Sequence, residues 1–277
     1  MLMNNSSTRA DLHFLLLLLL LTALYLFWTW NPEVAGLGGD NGIYLLTARS
    51  YSPWSPPSLI AQHFAAHSQY PPLFPLVLGL LGGGESILAA HLINTACLLL
   101  AFLAIRAWLV ALGLQKTTAN LVVIFIALLP GTVKLAMFIL SENLYLLLSV
   151  LALLLVLLAE RKNSSLLLII AAFVIVGATL TRTAGIALAA AFCLYLTCRR
   201  PARALLPALA TLAPLAIFAW YKSRSAAEHA GYLDALISNY SSNTATKVLK
   251  QIQIESVSLW QGWLANFEPG FSGYFIK

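Results

Sequence analysis

The sequence predicts an all-α polytopic membrane protein with about seven membrane-spanning helices and a long first outer loop that carries surface helices. Three observations predict this. Of 277 residues, 60% are hydrophobic and 9% charged, and the mean hydropathy is +0.83, which leaves too little polar surface to coat a water-soluble globule. Apolar stretches of about the 20 residues a crossing needs recur along most of the chain. The basic residues gather in short loops between these stretches, where they orient helices during insertion. The same placement excludes nucleic acid as the partner of the net charge of +6, because no basic face is built.

In order along the chain, the expected spans are residues 12–30, 86–112, 117–133, 141–159, 165–180, 184–198 and 205–221. The first follows a basic residue, lacks a small-residue cleavage site and ends in aromatics, so it reads as a retained helix and not a leader. Arg9, Lys116, Arg161, Lys162, Arg199, Arg200 and Arg203 fall on one face. By the positive-inside rule that face is cytoplasmic and holds the N-terminus. The opposite face receives isolated cations, Arg49, Lys134 and Arg182. Arg106 fits neither pattern and is expected to snorkel from the inner end of the second span. The expected place is therefore the cytoplasmic (inner) membrane, with chemistry facing outward. Cys97, Cys193 and Cys198 lack metal-ligand spacing and read as packing residues.

Residues 31–85 are too long for a turn. Rich in Pro and aromatics, they carry two stretches, 43–50 and 58–66, with the mixed pattern of helices lying on a membrane surface, the second opened by Pro56 and Pro57. Residues 222–277 turn polar and read as an outer-side segment.

Chemistry-bearing side chains fall on the outer side. Asp40, in Gly38-Gly39-Asp40-Asn41-Gly42, is an accessible carboxylate that can act as a general base, or caps the helix starting near Asn41. Glu142, at the mouth of the fourth span, is an ionisable group at membrane depth and so a functional candidate, or an acid favouring a helix N-terminus. Arg182 can bind a lipid-linked phosphate through paired charge-assisted bonds, or contacts headgroups as interfacial arginines do. Lys134 is a weaker version of the same cation. His63 and His67 share a helix face and suit a divalent metal if Glu85 or another carboxylate completes the site, though zinc takes more ligands than two histidines supply. Gly82-Gly83-Gly84 lacks phosphate-loop context and reads as a flexible link into the second span.

In order, Asp40 with Tyr44 and Ala48, then Tyr70-Pro71-Pro72-Leu73-Phe74-Pro75-Leu76, then Ser141-Glu142-Asn143-Leu144-Tyr145, then Leu180-Thr181-Arg182-Thr183-Ala184-Gly185 form a series. Over residues 10–221 it resembles the polytopic GT-C glycosyltransferases of the protein-mannosyltransferase and aminoarabinose-transferase kind. The resemblance implies a 1–221 transmembrane module that moves a sugar from a polyprenyl-phosphate donor to a lipid, glycan or protein acceptor. It implies Asp40 and Glu142 as catalytic acids, Arg182 and Lys134 at the donor phosphate, and Tyr44 and Tyr70 at the substrate. Gln69-Tyr70 stands where the aminoarabinose enzymes carry Glu-Lys, so that enzyme's metal ligand is not carried over and no cofactor is assigned. Members continue through more spans, so residues 222–277 read as a truncated outer segment. A transporter or flippase of a lipid-linked substrate, and an inactive truncated homologue, remain as alternatives. Transporters favour repeats and helices broken near mid-membrane, and the sequence displays neither.

Overall fold

The computed structural model describes residues 5–30, 40–68 and 70–225. Among them every regular element is helical: α1 (Asn5–Thr29), α2 (Asp40–Tyr51), α3 (Leu59–His67), α4 (Leu73–Leu80), α5 (Ile87–Ala111), α6 (Lys116–Leu128), α7 (Pro130–Met137), α8 (Glu142–Lys162), α9 (Ser165–Thr181), α10 (Gly185–Arg199) and α11 (Leu205–Ser225), with a 3-10 turn at Pro201–Arg203. The outer-side reading of residues 222–277 lies almost wholly outside the described residues.

The exterior is apolar. Leu19, Leu20, Phe125, Leu166 and Leu194 are exposed, whereas Asn94, Thr95, Ser141 and Asn143 are buried. Lipid as solvent explains this inversion, since polar groups must find partners inside the protein. Among the described residues three helices are long and apolar enough to cross a membrane: Arg9–Thr29, Ile87–Ala111 and Glu142–Lys162. A fourth crossing exists if α6 and α7, which meet at 61°, are counted as one. Ser165–Thr181, Gly185–Arg199 and Leu205–Tyr221 are shorter apolar helices. At 1.5 Å per residue, the 17-residue Ser165–Thr181 extends about 26 Å, short of a core of about 30 Å. The expected seven crossings are thus matched by three or four full-length ones and three short helices.

The expected span 117–133 is broken because Pro130 opens α7 and holds Leu129 extended, with ψ 130°. A proline there leaves carbonyls of α6 without their helical donors. One of them, Ala127 O, accepts the buried Tyr25 hydroxyl at 2.7 Å.

Between α1 and α5 the structure has three short helices where two were expected. Ser58 caps α3 by accepting the Ala61 N–H, as small hydroxyls do. The additional one, α4, tolerates Pro75 because a proline in the first turn costs no intrahelical bond. It crosses α2 so closely that a Cβ on Gly79 would lie 2.4 Å from Ala48 O. Gly82-Gly83-Gly84 is a defined turn and not a loose link. Gly82 has φ +85°, and Gly83 N–H donates to Leu78 O at 2.7 Å, closing α4 with a left-handed residue as glycine permits. Trp54 Nε1 donates to Leu80 O at 3.1 Å and Ser55 Oγ to Glu85 Oε1 at 2.6 Å, fastening the preceding loop to this turn. Burial opposes the Glu85 charge, but hydroxyl bonds from Ser52 and Ser55 and the nearby Arg49 outweigh it and hold its carboxyl below the usual range.

The bundle has two polar ends. At one, Asp11 on α1 pairs with Arg106 on α5 and Lys116 on α6, each at 2.5 Å, and Arg106 Nε also donates to Asn120 Oδ1 at 2.8 Å. Arg106 is therefore ion-paired within the protein, where the sequence suggested only snorkelling. At the same end Glu160 accepts Arg200 at 2.6 Å, and Asn163 ends α8 in the left-handed conformation with φ 50°. The other end, where α8 begins and α9 finishes, carries Glu142 and Arg182.

Candidate functional site

The segment from Phe138 to Ser141, between α7 and α8, organises this second end. Asn94 Nδ2 on α5 donates to Phe138 O at 2.6 Å, and Ile139 N–H donates to Asn41 Oδ1 on α2 at 2.8 Å. These bonds satisfy a buried non-helical backbone and fix Ser141, which is wholly buried. Although Ser141 precedes α8, it makes no capping bond of its own. Its hydroxyl is hydrogen-bonded to that of Tyr44 at 2.9 Å.

Arg182 follows α9 in an extended conformation, its N–H donating to Ala178 O. The chain then reverses into α10 so tightly that a Cβ on Gly185 would lie 2.5 Å from Thr179 Cα. This turn aims Arg182 at the start of α8. Its Nη1 pairs with Glu142 Oε1 at 2.5 Å and donates to Ser141 Oγ at 3.3 Å. Both charged side chains are about one-third exposed, so the pair sits at the rim of the bundle and not in its core.

On α2, Asp40 occupies the first turn, where a carboxylate favours the helix dipole. It is exposed, and its Oδ1 accepts the Tyr70 hydroxyl at 2.5 Å. The Tyr70 ring leans on Tyr44, centroids 5.2 Å apart, and Tyr44 meets Phe74 edge-on at 5.1 Å. The bond to Asp40, followed by burial, pushes the Tyr70 phenol up to about 12. Burial likewise raises the Tyr44 phenol.

Five of the residues singled out in the sequence therefore belong to one series: Asp40, Tyr70, Tyr44, then through Ser141 to Arg182 and Glu142. Asp40 and Glu142 each stand in the first turn of a helix, and each also holds a partner across the site. Tyr44 is buried and lies beneath the Asp40–Tyr70 pair. Lys134 stands in the last turn of α7, and His63 is exposed on α3. The His67 side chain is outside the described residues. Among the described residues no group of three or more His, Cys, Asp or Glu can hold a metal ion.

Ser141 is the member that sequence reasoning missed. A serine before an acidic helix start reads as a cap, and only the approach of Tyr44, 97 residues away in the chain, reveals its other use. Chemically, the site offers an exposed carboxylate under a phenol, and a half-exposed guanidinium whose charge is shared with one carboxylate. Such a pair can accept a proton from a hydroxyl or amine and hold an anion. No protein family, no curated protein and no solved structure matches this chain.

Proposed function

We propose that this membrane protein is a glycosyltransferase of the GT-C type, moving a sugar from a polyprenyl-phosphate carrier to a lipid, glycan or protein acceptor at the outer face of the cytoplasmic membrane. The observation that carries this reading is the single series joining Asp40, Tyr70, Tyr44, Arg182 and Glu142, residues drawn from four separate motifs of the resemblance. In this reading Asp40 takes the proton of the acceptor hydroxyl or amine, once the acceptor has displaced the Tyr70 hydroxyl from it. The acceptor oxygen or nitrogen attacks the anomeric carbon, and the bond from that carbon to the phosphate oxygen breaks. Arg182 stabilises the departing lipid phosphate, and Glu142 holds the arginine in place. The spans hold the prenyl chain. The N-terminus and the Asp11–Arg106–Lys116 end face the cytoplasm.

A transporter or flippase of a lipid-linked substrate is the second reading, favoured by the 61° break between α6 and α7. Transporters place such breaks near the bilayer midplane. The 13 residues of α6 extend about 20 Å from the opposite end before the break, about 5 Å past the middle of a core of about 30 Å, so its depth agrees with this reading, while the charged series at the Arg182 end favours the first.

The test is sugar transfer from radiolabelled polyprenyl-phosphate sugars in membranes containing the chain, beside its Asp40→Asn form. Transfer that disappears with Asp40→Asn supports the glycosyltransferase. Undiminished transfer by the variant removes Asp40 from the chemistry, and no transfer from any common carrier sugar removes the enzyme reading.

A further inference from the structure

The Arg182 side chain has four rotatable bonds, and the Gly185 turn controls only its backbone. Two contacts decide where the guanidinium stands. Glu142 Oε1 lies at 2.5 Å from Nη1, while Glu142 Oε2 is buried and meets no hydrogen-bond partner among the described residues, so this partner holds the head at a single point and does not fix its rotation. Ser141 Oγ, wholly buried, lies on the inner side at 3.3 Å. Both contacts fall on Nη1. Among the described residues the Nε and Nη2 edge therefore meets no partner, and it is the edge that can grip an anion in bidentate fashion.

Ser141 can serve as this inner stop only if its own hydroxyl is fixed. Tyr44 provides that at 2.9 Å, and Tyr44 is itself held by Phe74 and Tyr70. The backbone of Ser141 is pinned by the neighbouring bonds from Asn94 and to Asn41. We infer that Ser141, backed by Tyr44, is a positioning residue: it turns the guanidinium of Arg182 so that its Nε and Nη2 edge faces an anionic ligand, and couples that cation to the Asp40–Tyr70 side of the site. The inference rests on the phosphate-binding reading of Arg182 and assigns residues that contribute no charge to it.

The experiment uses the full chain in phosphatidylcholine nanodiscs, with polyisoprenyl monophosphate as the probe and the unphosphorylated alcohol as its control. Ordering one rotamer-rich side chain on binding lowers affinity roughly 2- to 12-fold, so Ser141→Ala, which leaves the ordering of Arg182 to the ligand, is expected to weaken phosphate-dependent binding by about that factor. Tyr44→Phe keeps the ring packing and loses only the hydroxyl, and is expected to weaken binding roughly 2- to 3-fold, as an indirect hydrogen bond would. Neither variant is expected to alter binding of the alcohol. A second readout on the same samples is the rate at which phenylglyoxal modifies Arg182, followed by peptide mass spectrometry. A guanidinium released from Ser141 is expected to react several-fold faster. Wild-type affinity together with wild-type Arg182 reactivity in both variants overturns the inference. If the wild-type chain binds no probe, the polyprenyl-phosphate reading fails, and the phenylglyoxal rates still decide whether Ser141 positions Arg182.

Discussion

Tyr70 is the residue through which the site can be read by titration. Its phenol donates to Asp40 at 2.5 Å, and the raised value near 12 means that folding favours the protonated form. For a raised acid the stabilisation is fully present below the unfolded value, ordinarily about 10, and is lost as the pH rises through 12. Other phenols, Tyr44 among them, are raised by burial as well, so phenolate absorbance of the folded protein is expected to show several late-titrating tyrosines and one fewer in Tyr70→Phe; an unchanged late amplitude in that variant would dissolve the Asp40–Tyr70 bond. Arg182 and Glu142 give a different signature. Because the pair sits at the rim with each side chain about one-third exposed, breaking it with Glu142→Gln is expected to cost about 1 kcal/mol of stability or less, and Arg182→Ala is expected to abolish binding of a lipid phosphate. A large drop in melting temperature for Glu142→Gln would assign the pair to structure and not to a ligand. Asp40, Glu142 and Arg182 were all visible in the sequence, because charges between apolar stretches stand out. Ser141 was not, because a small hydroxyl beside a helix start has an ordinary local explanation.

At the scale of the element, two turns place these side chains. The α4 helix approaches α2 at Gly79, where a methyl group would stand 2.4 Å from Ala48 O. Gly79→Ala must push the helices apart, and a cost of about 1–3 kcal/mol is expected from overpacking of this kind, measured by thermal unfolding in detergent. Gly185 does the same for the turn that carries Arg182, since its Cβ would meet Thr179 backbone at 2.5 Å. Gly185→Ala is expected to displace Arg182 and weaken the Glu142 pair, read as faster phenylglyoxal modification of Arg182; an unchanged rate would show that the turn does not set the arginine. The sequence placed the short helices of residues 43–50 and 58–66 to within a few residues, through their mixed pattern and the Pro56-Pro57 pair before the second. It missed α4, because Pro71-Pro72 and Pro75 read as a break when they in fact lie in and before a first turn. It likewise ran one span through Leu129–Pro130, since hydropathy does not register a missing N–H.

At the scale of the molecule, the end opposite the site is held by Asp11, which joins α1, α5 and α6 through Arg106 and Lys116. Asp11→Asn leaves two cations beside a neutral side chain, and because Arg106 is only 17% exposed a loss of about 1–3 kcal/mol is expected. Thermal unfolding of Asp11→Asn beside Arg106→Met tests this, and a wild-type melting temperature in Asp11→Asn would show that the bundle does not depend on the triad. By itself, composition determined that this is a helical membrane protein, because lipid as solvent demands apolar length and leaves its mark on every stretch of the chain. Charge placement also marked which residues crowd one end and which stand alone at the other. Tertiary structure alone decided how many helices reach full crossing length, that Arg106 is paired, and that Asp40, Tyr70, Tyr44, Ser141, Arg182 and Glu142 form one series. Those outcomes depend on hydrogen bonds and ion pairs between residues 30 to 105 positions apart, and a contact made by chain folding leaves no pattern in the local order of residues.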